Sequence, residues 1–462
     1  MSQTLPETEH SMPPASRVSL VDPEAFFTIP DEEMFELIRQ NFFEELGRLT
    51  RAYSIRDSNV KAPLVVSPSG LLYQTEYDEV NRTLVSLLAL RWIHNDQYDT
   101  FVGTQPESVR LTRQSFDWVR ARVDQALCDA ADLDTLIISV VINDLGKDPR
   151  LASDYHERIG RDVSALNHDT ILLEATKVGL VPCLGDISRK QYEQIIFGLE
   201  LGSRFNFGQL AQAELAPACL RSLQNAKVDR HAFDLHFAEQ LLDIAGASGH
   251  MDWTCAKKLI GPIADAYCIA YEVVSQVISG KLGIQQGFER VLTRRALLLH
   301  TKGFRLLSIN DPQERALMRL LCMGGVRDLE TAMLYYNAWN SLSTPSDAAV
   351  QHSLIYSLNL VGSDIEPAVQ PTYMPALLAQ AVDNNRGWER QDMRSEALKS
   401  ALRYLARVMS VLPGDWSGDS VSVLERNVLG VVKAVVQTQE FLHNPSILEM
   451  ATVPEAIPAI SE

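Results

Sequence analysis

The sequence predicts an all-α protein: a multi-helix globular body with at most one small β-hairpin. Three observations carry that expectation. Apolar residues recur at spacings of three and four along most of the chain. Helix-start residues such as Asp31 and Thr344-Pro345, and a stop signal at Gly362, bracket the periodic runs. The 462 residues are 46% hydrophobic and 22% charged with a mean hydropathy of −0.06, which supplies a large core yet is too polar for a bundle of membrane helices.

Taken in order, residues 1–23 are rich in Ser, Pro, Glu and Thr, with neither an apolar signal run nor an Arg-rich transit pattern, and are expected to be disordered. Asp31 opens the first amphipathic helix, in which Met34, Phe35, Leu37, Ile38, Phe42, Phe43 and Leu46 line one face. Similar runs predict helices over 76–94, 107–128, 133–142, 188–202, 230–246, 252–279, 284–307, 311–322, 326–342, 344–361, 373–382, 389–412 and 419–443. The one extended piece is Ala62–Tyr73, where Leu64-Val65-Val66 and Leu71-Leu72-Tyr73 flank Ser67-Pro68-Ser69-Gly70 like a hairpin. No fixed-period repeat and no Gly/Ser or Pro-rich central linker divides the body, so 24–443 reads as one or two closely packed helical subdomains. Residues 444–462, with Pro445, Pro454 and Pro458, are expected to form a flexible tail. The six cysteines (Cys128, Cys183, Cys219, Cys255, Cys268, Cys322) contain no Cys-x-x-Cys pair, which fits a reduced, cytoplasmic setting.

Charge singles out one region. The chain carries −17 overall, yet between Glu289 and Arg327 eight basic residues (Arg290, Arg294, Arg295, Lys302, Arg305, Arg315, Arg319, Arg327) face three acids (Glu289, Asp311, Glu314), a local +5. Such a reversal can focus an anionic partner; the same arginines could equally neutralise acids elsewhere in an acidic molecule. Inside the region lies Asn310-Asp311-Pro312-Gln313-Glu314. Asp before Pro with Glu three residues on is also a capping box. On the next helix Tyr336 and Asn340 share one face and Tyr335 and Trp339 another, so one pair could line a pocket and the other pack the core.

Two further groups could carry chemistry. Val141-Ile142-Asn143-Asp144-Leu145-Gly146-Lys147-Asp148 looks like the His-Asp-Leu-Gly-Lys signature of HD-domain metal-dependent phosphohydrolases and related di-iron oxygenases. Asn143 stands where the first metal-binding His belongs, and no His lies between Phe101 and Asp144 to supply an upstream ligand. On the helix from Arg230, His236, Glu239, Gln240 and Asp243 share a face, with His250 and Asp252 after a turn. A metal set drawn from Asp144, His168, Asp169, His236 and His250 is geometrically conceivable; a solvated helix face looks the same. The missing ligands lead us to expect a functional apoprotein without metal or other cofactor.

The motif at Asn310, Asp311 and Glu314 resembles that of the fungal arginine-containing cyclodipeptide synthases, described by an Asp-Asp-x-x-Glu motif needed for activity, with Asn310 replacing the first Asp. The resemblance implies an aminoacyl transferase that takes aminoacyl-tRNA and joins two amino acids, one of them arginine, into a diketopiperazine. Asp311 would then handle an α-ammonium and Glu314 a guanidinium. Arg294, Arg305, Arg315 and Arg319 would meet phosphates, and Tyr336 and Asn340 would line the pocket. A degenerate HD-like metal hydrolase or oxygenase is the alternative, and a non-catalytic helical scaffold the third.

Overall fold

The computed structural model describes residues 22–54, 64–225, 229–345, 347–383, 391–411 and 421–458. Of the described residues 68% are helical, so the fold is mostly α, as the apolar period predicts. Among them no helix is long and apolar enough to cross a membrane. Residues 1–21, most of the segment expected to be disordered, lie outside the described residues; Asp22 already caps a short helix, Pro23–Thr28. The chain forms two compact units, 1–203 with 228–264, and 204–227 with 265–462.

The first unit is built on eight helices: α1 (Asp31–Asn41), α2 (Asp78–His94), α3 (Arg113–Ala126), α4 (Ala130–Ile142), α5 (Pro149–Ile159), α6 (His168–Lys177), α7 (Arg189–Arg204) and α8 (Arg230–Gly246). Helices α2 and α8 are buried on nearly every side, with Val80, Leu84, Leu87, Leu88 and Ile93 of α2 and Phe233, Phe237, Leu241 and Leu242 of α8 in the core. That is the pattern of central helices rather than surface ones. They pack on each other and on α3 and α4. A Cβ on Gly246 would stand 2.1 Å from Ser86 Oγ and 2.4 Å from the Arg82 carbonyl oxygen, so only glycine permits this approach of α8 to α2.

The expected hairpin at Ala62–Tyr73 is a helix instead over Pro68–Tyr73; Ala62 and Pro63 lie outside the described residues. Ser67 accepts from Gly70 N–H at 2.9 Å and Pro68 takes the first helical position, so Ser-Pro acts as a helix start rather than a turn. Leu64, Val65 and Val66 are left exposed.

The second unit contains α9 (Gly261–Ile278), α10 (Ile284–Thr301), α11 (Pro312–Met323), α12 (Leu329–Ser341), α13 (Ala348–Asn359), α14 (Met374–Asp383) and α15 (Gln391–Met409). Helix α9 starts nine residues later than the apolar run suggests, because Asp252 accepts from the Thr254 N–H and hydroxyl and holds an irregular turn. The helix expected over 419–443 is present only from Leu429: residues 429–436 and Gln439–His443 are helical, and 419–420 lie outside the described residues. The residues before it supply strand β2 (Val423–Glu425), which pairs in parallel with β1 (Ala368–Gln370), Val369 opposite Leu424, and antiparallel with β3 (Ile457–Pro458). Nor do residues 444–458 leave the unit; 459–462 lie outside the described residues. The turn at Pro445–Met450 packs on α15, where Glu449 accepts from Ser400 and Arg403, and the Tyr404 hydroxyl donates to Thr452 O.

Candidate functional site

One group of buried charged residues in the first unit, Glu79, Asp144, Lys147 and Glu239, gathers where α2, α8 and the end of α4 meet. Asp129 and Asp132 form a capping box that starts α4, and Asn143 closes it. Leu145–Lys147 makes one tight turn before Asp148 and Pro149 start α5. The turn is pressed against the start of α6: a Cβ on Gly146 would stand 1.9 Å from the His168 carbonyl oxygen. The HD-like sequence therefore encodes a glycine-dependent turn that points Asp144 and Lys147 inward, both under 10% exposed.

Lys147 Nζ lies 2.8 Å from Asp144 Oδ1 and 3.1 Å from Glu79 Oε2, and Arg82 donates to Glu79 Oε1 at 2.8 Å. Glu79 and Asp144 also share a hydrogen bond. Burial pushes the Glu79 carboxyl up, and its hydrogen bond to Asp144 and the Asp144 charge push the same way. Burial would raise Asp144 too, but the Lys147 ammonium, the hydrogen bond from Glu79 and the Arg82 charge outweigh it and hold the group well below the carboxylate range.

Arg82, Thr83, Ser86, Val140, Asn143, Asp144, Glu239 and Asp243 line a small, part-open polar recess with room for about one group the size of a water molecule or an ammonium. Two carboxylates face it without a full set of partners. Glu239, 4% exposed, accepts at Oε2 from Gln240 and lies 3.4 Å from His236 Nδ1, while its buried Oε1 has no hydrogen-bond partner among the described residues. Asp243 makes no hydrogen bond or ion pair among the described residues. Burial first, then the Asp144 charge, push its carboxyl up to about 7. Asp169, beside His168 at 3.5 Å, is also raised, by burial first.

The structure thus brings Asp144, His168, Asp169 and His236 into one charged neighbourhood, while His250 follows the end of α8 and is not among the lining residues. The polar stripe of α8 is not its wet side: His236 and Glu239 are buried, and Gly198 of α7, whose Cβ would stand 3.3 Å from His236 Nδ1, makes room for the imidazole. The HD resemblance implies a metal here, and the residues do not fit one. Lys147 and Arg82 already supply cations to Asp144 and Glu79, and Asn143 offers an amide where imidazole is required. Sequence reasoning missed Glu79, Arg82 and Lys147. The signal was there: a Glu and an Arg three apart at the start of a helix that runs on into the mostly apolar stretch 84–93.

In the second unit the acidic motif makes a helix start. Asp311 caps α11, accepting from the N–H groups of Gln313 and Glu314 at 2.8 and 3.2 Å, and Glu314 accepts from Arg305 and from Ser308 N–H, both at 2.5 Å. Asn310 is exposed beside them. Arg319 cannot meet a phosphate as expected: it is 0% exposed and donates to the carbonyl oxygens of Ala213, Leu358 and Leu215, each at 3.0 Å. Arg315 is held by Asn359, Ile309 O and Glu289. Arg294 and Arg305 remain exposed, with Arg305 over the Tyr336 ring at 5.1 Å. Tyr335 and Trp339 are the core pair of α12, and Tyr336 and Asn340 lie on its outer face.

Fold and site together define a mostly helical protein with a small polar recess lined by buried acidic groups. The chain belongs to a family of unknown function, DUF6829, whose model matches residues 35–448. No curated protein and no solved structure matches it.

Proposed function

We propose that the protein is an aminoacyl transferase that forms a diketopiperazine from aminoacyl-tRNA, and that the acidic pocket of the first unit receives the cationic group of an amino-acid substrate. The observation that carries this reading is the pair of carboxylates, Asp243 and Glu239, that line a recess with room for a group the size of an ammonium, the Glu239 Oε1 atom having no hydrogen-bond partner among the described residues. A carboxyl that titrates near neutrality can take a proton from an α-ammonium and return it, which is what amine acylation by an activated ester needs. The neutral amine attacks the ester carbonyl, the C–N bond forms, the C–O bond to the tRNA ribose breaks, and the ribose oxygen leaves with a proton. A second, intramolecular attack, by the remaining amine on the second ester carbonyl, closes the ring, breaks that C–O bond and releases the second tRNA with a proton on its ribose oxygen. Arginine as one of the two residues is supported by the resemblance of Asn310-Asp311-Pro312-Gln313-Glu314 to the Asp-Asp-x-x-Glu motif. Exposed Arg290, Arg294, Lys302 and Arg305 support contact with the tRNA backbone.

The test is to supply purified protein with aminoacyl-tRNA and analyse the small molecules by mass spectrometry. Arginine-containing diketopiperazine is expected from the wild type, at about a hundredfold lower yield from Asp243→Asn. Absence of any diketopiperazine across a full set of aminoacyl-tRNAs rejects the reading.

A further inference from the structure

A second set of groups gathers in the first unit, some 18–20 Å from the pocket on the 1.5 Å rise per residue of α4 and α8. Cys128 lies just before α4, Asp132 in its first turn and His231 in the first turn of α8. One ligand atom from each, the Cys128 sulfur, an Asp132 oxygen and a His231 nitrogen, lies within 4.8 Å of the others. The carboxylate is held rigidly. Asp132 is 1% exposed, and its Oδ2 accepts from the N–H groups of Cys128 and Asp129 at 2.9 and 3.2 Å, which turns Oδ1 toward His231 Nε2 at 2.7 Å. The outer side is open, since Cys128 is exposed and His231 half-buried.

We propose that Cys128, Asp132 and His231 form a zinc-binding site. Thiolate with imidazole selects a borderline-soft ion over magnesium or calcium, and thiolate plus carboxylate balance a divalent charge. Three protein ligands leave the fourth tetrahedral position to water. With zinc–nitrogen and zinc–oxygen bonds of about 2.0–2.1 Å, ligand atoms around a tetrahedral ion stand about 3.3 Å apart, so His231 and Asp132 need separate by only about half an ångström. Their hydrogen bond is the arrangement that the ion replaces, and the thiol gives up its proton on binding. The two carboxylates at the start of α4, Asp129 and Asp132, offset the positive helix end that would otherwise repel a cation. The ion would clip the starts of α4 and α8 together, the two helices whose far ends carry the pocket.

Cobalt(II) is the probe. Titrated into the reduced full-length protein, it is expected to bind in one equivalent, with the visible bands of a tetrahedral ion and a near-ultraviolet thiolate-to-cobalt band, both removed by zinc(II). Cys128→Ser should abolish the thiolate band, and His231→Gln should weaken binding at least about tenfold. Cys268→Ser should leave both unchanged. Cys128 is exposed, so its substitution leaves the fold intact, and circular dichroism checks His231→Gln. A wild-type protein that binds no cobalt, or a thiolate band that survives in Cys128→Ser, overturns the proposal; either can occur with diketopiperazine synthesis present or absent.

Discussion

Replacing Asp243 by Asn moves stability and turnover in opposite directions. In the folded protein this carboxyl is pushed from its ordinary 3.8 to about 7, by burial first and then by the Asp144 charge. In the unfolded chain it ionises at the ordinary value. The folded state therefore holds the proton more tightly, and the group costs stability as pH rises from about 4 to about 7, with a constant penalty above that. At 1.36 kcal/mol per unit the ceiling is about 4 kcal/mol, and because charge is shared with Asp144 a penalty of about 2 kcal/mol is the working figure. Asn cannot ionise. Asp243→Asn should thus exceed the wild type in stability by about 2 kcal/mol near pH 8, and the difference should close to a few tenths below about pH 4. Urea unfolding followed by circular dichroism at several pH values measures the gap, and diketopiperazine yield on the same samples measures the loss of function. A gap that does not change with pH refutes the strained carboxylate, and full turnover in the variant refutes its role as a base. Activity drawn from a destabilising group is the usual trade at a functional site.

Two other outcomes follow from the second unit. Arg319→Met strips three buried carbonyl oxygens of their donor, and, with the relief of a buried guanidinium set against that loss, should lower stability by about 3 kcal/mol in a urea midpoint measurement; a stable variant that only binds tRNA less well would return Arg319 to phosphate recognition. Asp311→Asn should keep both melting temperature and diketopiperazine yield, because Asn accepts the same capping bonds, while Asp311→Ala should lose about 1 kcal/mol. A stable Asp311→Asn protein without product would move the chemistry to the Asp-Pro-Gln-Glu motif.

Local rules were enough for the helices and their ends. Period, capping residues and Pro at first helical positions place α1, α4, α8 and α11 within a few residues, since each depends on neighbours a turn away. The same rules misread Ser67-Pro68 as a turn and carry the helix at 429–436 back over 421–428, where β2 forms. There the outcome hangs on whether a distant strand, β1, is present to accept β2. Charge counting failed for the same reason at Arg319 and on α8, where a polar side chain reads alike whether it meets water or three carbonyl groups. The identities of Asp144, His236 and Glu239 as chemically interesting residues were legible in the sequence. That Lys147 and Arg82 stand where a metal's charge would be, that Glu79 and Asp144 meet around Lys147, and that Asp243 lines the same recess were decided by tertiary packing. Desolvation and Coulomb interaction depend on distances between helices up to a hundred and sixty residues apart in sequence, and no local pattern encodes those distances.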